Sequence, residues 1–167
     1  VLNKAGALNV NGKVNNKSDM VIISNHGTGL NIGENAEINN DKNIRIGNTG
    51  ADGTVVDGKV TSTEGTVQFI NNDGKFEVNG EVTNGAGDIH LLNRGEEGAK
   101  INGNVTSKDG NTTVVNANDE AGLEVNGIVA SGSKKVTLRN TGKKGIVVNG
   151  TAEGGEGVVQ QDLRKNK

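Results

Sequence analysis

A chain of 167 residues that is 31% apolar and 1% aromatic has the length of one domain but little of the bulk that fills an ordinary globular core. Its net charge of −2 comes from 18 Lys and Arg interspersed with 20 Asp and Glu, so no basic stripe forms and nucleic acid is excluded as an expected partner. Cys is absent, which excludes a disulfide scaffold and thiolate zinc sites, and no apolar run of about 18 residues exists to span a bilayer as a helix.

The first element in the chain sets the pattern for the rest. Leu8-Asn9-Val10-Asn11-Gly12-Lys13-Val14 alternates apolar and polar residues around an Asn-Gly turn. The pattern returns at Thr54 to Val60, Phe76 to Val82, Ala99 to Val105, Leu123 to Val129 and Ile146 to Ala152. A degenerate copy, Leu30 to Ala36, carries Gly33-Glu34 in place of the Asn-Gly pair. The second residue of the dipeptide falls at 12, 34, 58, 80, 103, 127 and 150, in steps of 22, 24, 22, 23, 24 and 23.

A second motif, apolar-x-apolar-x-Asn, follows each copy of the first and ends at Asn25, Asn48, Asn71, Asn93, Asn116 and Asn140. Its inward pairs are Val21/Ile23, Ile44/Ile46, Val67/Phe69, Ile89/Leu91, Thr112/Val114 and Val136/Leu138. Two motifs that hold one period of about 23 residues mark stacked units, each unable to bury its apolar face alone. No segment shows helical spacing over three turns. Each unit therefore has about three strands of two to five residues, with Gly placed between the apolar triplets where positive φ is useful.

The expected fold is all-β, a right-handed parallel β-helix of about seven coils, since parallel crossovers are right-handed. Seven coils stacked at about 4.8 Å give a rod of roughly 30–35 Å. Residues 1–160 form the solenoid and 161–167, with Arg164-Lys165-Asn166-Lys167, read as a frayed tail. Stacking in register turns each recurring Asn into a ladder. One ladder comprises Asn11, Asp57, Asn79, Asn102, Asn126 and Asn149, and the other Asn25, Asn48, Asn71, Asn93, Asn116 and Asn140. Phe69 and Phe76 read as core. The chain opens at Val1 without a signal peptide and reads as a segment of a longer protein.

The L-x-V-N-G-x-V units, such as Leu8 to Val14 and Leu123 to Val129, and the V-x-L-x-N unit from Val136 to Asn140 resemble a known class. They are similar to the secreted β-helical exoproteins of Gram-negative bacteria, the filamentous-haemagglutinin-type proteins of two-partner secretion and the passenger domains of autotransporters. The high content of Asn, Gly, Val and Thr, with no Cys and no Pro, adds to the likeness. It spans about Ala7 to Val159. The resemblance implies a secreted or cell-surface adhesin involved in virulence and cell adhesion, whose partners are a host-cell receptor or glycan and, during secretion, an outer-membrane transporter.

Residues that could carry chemistry are few. Glu77 and Glu124 share an outward column with Lys100 between them, which reads as an ion-paired face rather than the clustered carboxylates of a glycosidase. Glu96-Glu97 reads as a solvated loop pair. His26 and His90 occupy inequivalent positions, and Gly154-Gly155-Glu156-Gly157 echoes a calcium β-roll without its Asp or its nine-residue period. Glycosylation sequons begin at Asn16, Asn104 and Asn111, with a fourth at Asn149 inside the ladder. Apolar residues expected to face outward, Ile22, Val55, Ile128 and Val147, lie on different coils or sides. The expectation is a non-catalytic rod with no cofactor and no metal. The alternatives are a β-helical polysaccharide lyase or hydrolase and the stalk of a contact-dependent toxin-delivery exoprotein.

Overall fold

The computed structural model describes residues 1–164, and every regular element in it is a β-strand. A short opening strand, β1 (Leu2–Asn3), precedes seven coils of three strands each. The first coil holds β2 (Leu8–Val10), β3 (Lys13–Asn16) and β4 (Met20–Asn25), and the second β5 (Gly29–Ile32), β6 (Glu37–Asn40) and β7 (Asn43–Asn48). The third holds β8 (Gly53–Val56), β9 (Lys59–Ser62) and β10 (Val67–Asn71), and the fourth β11 (Phe76–Val78), β12 (Glu81–Asn84) and β13 (Ile89–Asn93). The fifth holds β14 (Ala99–Ile101), β15 (Asn104–Ser107) and β16 (Thr112–Asn116), and the sixth β17 (Gly122–Val125), β18 (Ile128–Ser131) and β19 (Val136–Asn140). The seventh holds β20 (Gly145–Val148), β21 (Thr151–Gly154) and β22 (Val158–Asp162).

Each strand pairs in parallel with its equivalents one coil away, so the chain winds through three sheets. Sheet 1 has eight strands, β1-β4-β7-β10-β13-β16-β19-β22. Sheet 2 runs from β2 to β20 and sheet 3 from β3 to β21, each with seven strands. Strand lengths reach six residues at β4 and β7, one more than the sequence predicts. β22 continues to Asp162, Leu163 N bonds Asn140 O at 2.7 Å and Arg164 pairs with Asp162, so the last coil includes residues that the sequence assigns to the tail. Residues 165–167 lie outside the described residues.

Period-two alternation turns every second side chain into a shared core. Twenty-six buried apolar residues form one cluster along the axis, and residues of the inward pairs predicted for sheet 1 are all buried. Phe69 and Phe76 sit in that cluster with ring centroids 5.9 Å apart. The columns are mostly Val, Ile and Leu, because β-branched side chains pack well on a pleated face stacked on copies of itself. Two core positions hold Thr instead. Thr54 Oγ1 donates to Asn71 Oδ1 at 2.9 Å, and Thr112 Oγ1 to the backbone oxygen of Ala130 at 2.8 Å. Every buried side-chain N or O among the described residues has a hydrogen-bond partner.

The glycines do a different job from the one expected. Among the described residues positive φ occurs only at Gly6, Gly53, Gly74, Gly98, Gly145 and Gly157, none of them the Gly of an Asn-Gly pair. In that turn the constraint is stacking. A Cβ on Gly103 would lie 1.9 Å from Gly80 O, and one on Gly127 would lie 2.0 Å from Gly103 O. Successive coils come so close at this corner that no side chain fits between them.

The second coil corrects the reading of the degenerate copy. Lys13 pairs with Glu37 and Val14 with Ile38, so the corner between β5 and β6 is two residues longer than its neighbours. Gly33 N bonds Val10 O, which places Gly33 in the Asn slot, and Lys59 N bonds Ala36 O, which places Ala36 in the Gly slot. Glu34 and Asn35 are the insertion.

Candidate functional surface

Three polar systems and two kinds of outer face emerge from the stacking. At the end of sheet 1, Asn3, Asn25, Asn48, Asn71, Asn93, Asn116, Asn140 and Asp162 are register partners. Each Nδ2 donates to the Oδ1 one coil further along: Asn25 to Asn48 at 2.7 Å, Asn48 to Asn71 at 2.9 Å, Asn71 to Asn93 at 2.8 Å. The run continues from Asn93 to Asn116 at 2.9 Å and Asn116 to Asn140 at 2.7 Å, and closes on the Asp162 carboxylate at 3.2 Å. The six predicted members are essentially inaccessible to solvent. Several also bond the turn that follows them, as Asn93 does with Gly95 N and O, and this fixes the corner.

The second predicted ladder is exposed and runs the other way. Asn149 donates to Asn126, Asn126 to Asn102, Asn102 to Asn79 and Asn79 to the Asp57 carboxylate, all at 2.8–2.9 Å. Asn11 does not join it. The residue above it is Gly33, which has no side-chain amide, so Asn11 is corrected from a ladder member to a turn residue outside the ladder.

A third system was not expected. At the end of the sheet 3 strands stand Asn40, Ser62, Asn84, Ser107 and Ser131, all buried. They hold the turns of neighbouring coils by backbone bonds: Ser107 Oγ donates to Gly87 O at 2.7 Å and accepts from Gly110 N at 2.9 Å. Ser131 repeats this with Gly110 O and Lys134 N. The signal was present as V-x-Ser or V-x-Asn at Val60-Thr61-Ser62, Val82-Thr83-Asn84, Val105-Thr106-Ser107 and Val129-Ala130-Ser131.

Sheets 2 and 3 carry an inter-coil lattice of charge. Lys13 pairs with Glu37 at 3.3 Å, Lys59 with Glu81 at 4.0 Å, Lys100 with Glu124 at 3.8 Å, and the turn pairs Lys143–Glu120 and Lys134–Glu156 lie at 3.0 and 3.5 Å. Lys42 and Glu64 also pair across a coil step. Their mutual hydrogen bond, then their opposite charges, raises the Lys42 ammonium and lowers the Glu64 carboxyl from their usual ranges. Such pairs are exposed, and each contributes little alone.

Of the outward column Glu77, Lys100 and Glu124, Lys100 pairs with Glu124, while Glu77 lies 4.0 Å from Lys75 on its own coil. These residues line a groove of about 410 Å³ on sheet 2, together with Gly98, Gly122, Glu97 and Lys144. His26 bonds Ser24 and Thr49, and His90 lies 4.0 Å from Asp88. Of Gly154-Gly155-Glu156-Gly157, Gly154 ends β21 and the other three form the turn to β22, with Glu156 paired to Lys134. No group of three or more His, Asp or Glu with metal-site geometry occurs among the described residues.

The sequons differ in access. Asn16 Nδ2 donates to Asn40 Oδ1 at 3.0 Å, Asn149 belongs to the exposed ladder, and Asn111 is half-buried with its Oδ1 accepting from Lys135 N. Asn104, first residue of β15, is exposed.

Sheet 1 is the exception to the charged pattern. Its two outward columns are Ile22, Arg45, Gln68, His90, Thr113, Thr137, Val159 and Ser24, Gly47, Ile70, Leu92, Val115, Arg139, Gln161. None is Lys, Asp or Glu. Comparison with protein-family models, curated proteins and solved structures finds no match, so the repeat and the faces it builds are the ground on which function is read.

Proposed function

We propose that the chain is a non-catalytic rod segment of a bacterial surface-exposed or secreted exoprotein of the adhesin kind, exported through an outer-membrane transporter. One observation carries the reading. Each coil adds the same three strands, six of the seven add a buried Asn at the end of sheet 1, and six add a Gly in the same corner slot, so stiffness is built by repetition along an axis rather than around a pocket. That architecture suits holding binding parts at a distance. The resemblance of the L-x-V-N-G-x-V units to two-partner-secretion and autotransporter passengers supports the same placement, and the lack of Cys suits passage through a narrow pore.

The test is binding of the purified chain to cultured host cells and to a broad glycan panel. A triple variant, Asn71→Ala with Asn93→Ala and Asn116→Ala, serves as the unfolded control. Saturable binding lost in the control is expected. A well-folded chain that binds neither cells nor glycans would sink the adhesive reading and leave a spacer.

A further inference from the structure

The outer face of sheet 1 departs from the rest of the rod in three independent ways. Its charged residues are Arg45 and Arg139, exposed with no ion pair, whereas Lys13, Lys59 and Lys100 on the other faces are matched to glutamates one coil away. Between the two arginines Ile70, Leu92 and Val115 stack on three consecutive coils as a continuous, half-exposed apolar stripe. Arg enriched, Lys, Asp and Glu depleted, and apolar side chains at the centre is the composition of a protein–protein contact surface.

Gly47 is the third departure. It lies inside β7, where a glycine weakens a strand and often marks close approach of another backbone. Neither constraint that explains other glycines applies to it. Its φ is not positive, and a Cβ there would meet only Ile70 O at 3.9 Å, an ordinary contact. What the missing side chain leaves is a depression of about 260 Å³ bordered by Ile22, Ser24, Arg45 and Ile70. A second depression, of about 320 Å³, lies further along the face beside Leu92 and Val115.

We propose that this face docks a partner protein through an extended segment that is apolar in the middle and acidic at both ends. One side chain of that segment enters the notch at Gly47, its neighbouring carboxylate meets Arg45, and the apolar positions lie on Ile70, Leu92 and Val115. A second carboxylate meets Arg139. Arg45 and Arg139 are four coil steps and one pleat apart, about 20 Å, which an extended chain covers in about six residues. The unpaired arginines select carboxylates by charge and by their planar fork. The inference holds whether or not the rod is an adhesin, since it rests on sheet 1 alone.

The experiment is selection from a library of displayed random heptapeptides on the intact chain, followed by titration of the enriched peptides on Arg45→Glu, Arg139→Glu and Gly47→Val. Thermal melts check that each variant is folded, and Gly47→Ala serves if the valine disturbs the sheet. Enrichment of peptides with Asp or Glu at both ends and alternating apolar residues between is expected, with affinity falling at least tenfold in Arg45→Glu and in the glycine variant. Three results would overturn the proposal: no enrichment, enriched peptides that bind Arg45→Glu as well as the parent, or Arg45-dependent binding to phosphatidylglycerol vesicles with none to peptides.

Discussion

Asn71 donates its side-chain amide to Asn93 Oδ1 at 2.8 Å, and both residues are fully buried one coil apart. Each interior Asn of that column is at once donor and acceptor, so deleting one removes a bond on each side. Asn93→Ala leaves one Asn71 Nδ2 hydrogen and the Gly95 N–H without a partner, while Asn71 Nδ2 keeps Lys75 O and Asn116 Oδ1 keeps Asn118 Nδ2. Buried orphans cost about 1–3 kcal/mol each, so a loss of about 2–5 kcal/mol is expected. Asn126→Ala, in the exposed ladder, should cost about 0.5–1 kcal/mol because water replaces the lost partner. Urea unfolding of the two variants measures the contrast, and equal losses would contradict it.

The corner glycines and Gly47 predict opposite outcomes for one substitution. Gly103→Ala forces its Cβ against Gly80 O and should destabilise by about 1–3 kcal/mol, the range for overpacking. Gly47→Ala adds a methyl in ordinary contact and restricts the unfolded chain, so a gain of about 0.4–1 kcal/mol is expected. Thermal unfolding of the pair would show melting points displaced in opposite directions.

Phe69 and Phe76 concentrate the aromatic bulk of the core at the step from the third coil to the fourth. Phe69→Ala should leave a cavity that stacked strands cannot close and cost about 3–5 kcal/mol. Phe69→Leu, which preserves most of the volume, should cost far less. Calorimetry on both variants distinguishes loss of packing from loss of a ring contact.

The Lys42–Glu64 pair gives a pH signature. Glu64 is held below the usual carboxylate range, so its contribution is present above the unfolded value and disappears as pH falls through the folded one. Lys42 is raised, so its contribution is present below the ordinary lysine value and disappears as pH rises through the folded one. An NMR titration of the Glu64 carboxyl should therefore show an acid-shifted midpoint that returns to normal in Lys42→Met. It should also move toward normal at high salt, because the pair is exposed.

Much of this was legible in the sequence because a solenoid writes its contacts at one spacing. The period placed Val67, Phe69 and Asn71 above Ile44, Ile46 and Asn48 without any coordinates. What escaped were features set by three-dimensional crowding or by a change of register. The glycines of the Asn-Gly corners look like ordinary turn glycines until the oxygen of the coil below is seen. The two-residue insertion at Glu34-Asn35 preserves the alternation on both sides, so the copy reads as degenerate rather than lengthened. Ser62, Ser107 and Ser131 were missed because their partners are backbone atoms, which leave no recurring letter. The Ile70, Leu92 and Val115 column is hidden because its residues fall in the x before the Asn of the apolar-x-apolar-x-Asn motif, the second outward slot of a five-residue strand.

The two Asn columns have opposite senses: in the buried one every amide points toward the C-terminal coils, in the exposed one toward the N-terminal coils. Each column alone is a line of aligned side-chain dipoles, and such lines reinforce their members as they lengthen. Along the axis the four steps of the exposed column oppose those of the buried one over the same coils. A rod built this way can gain cohesion with every added coil without accumulating a positive pole at one end and a negative pole at the other.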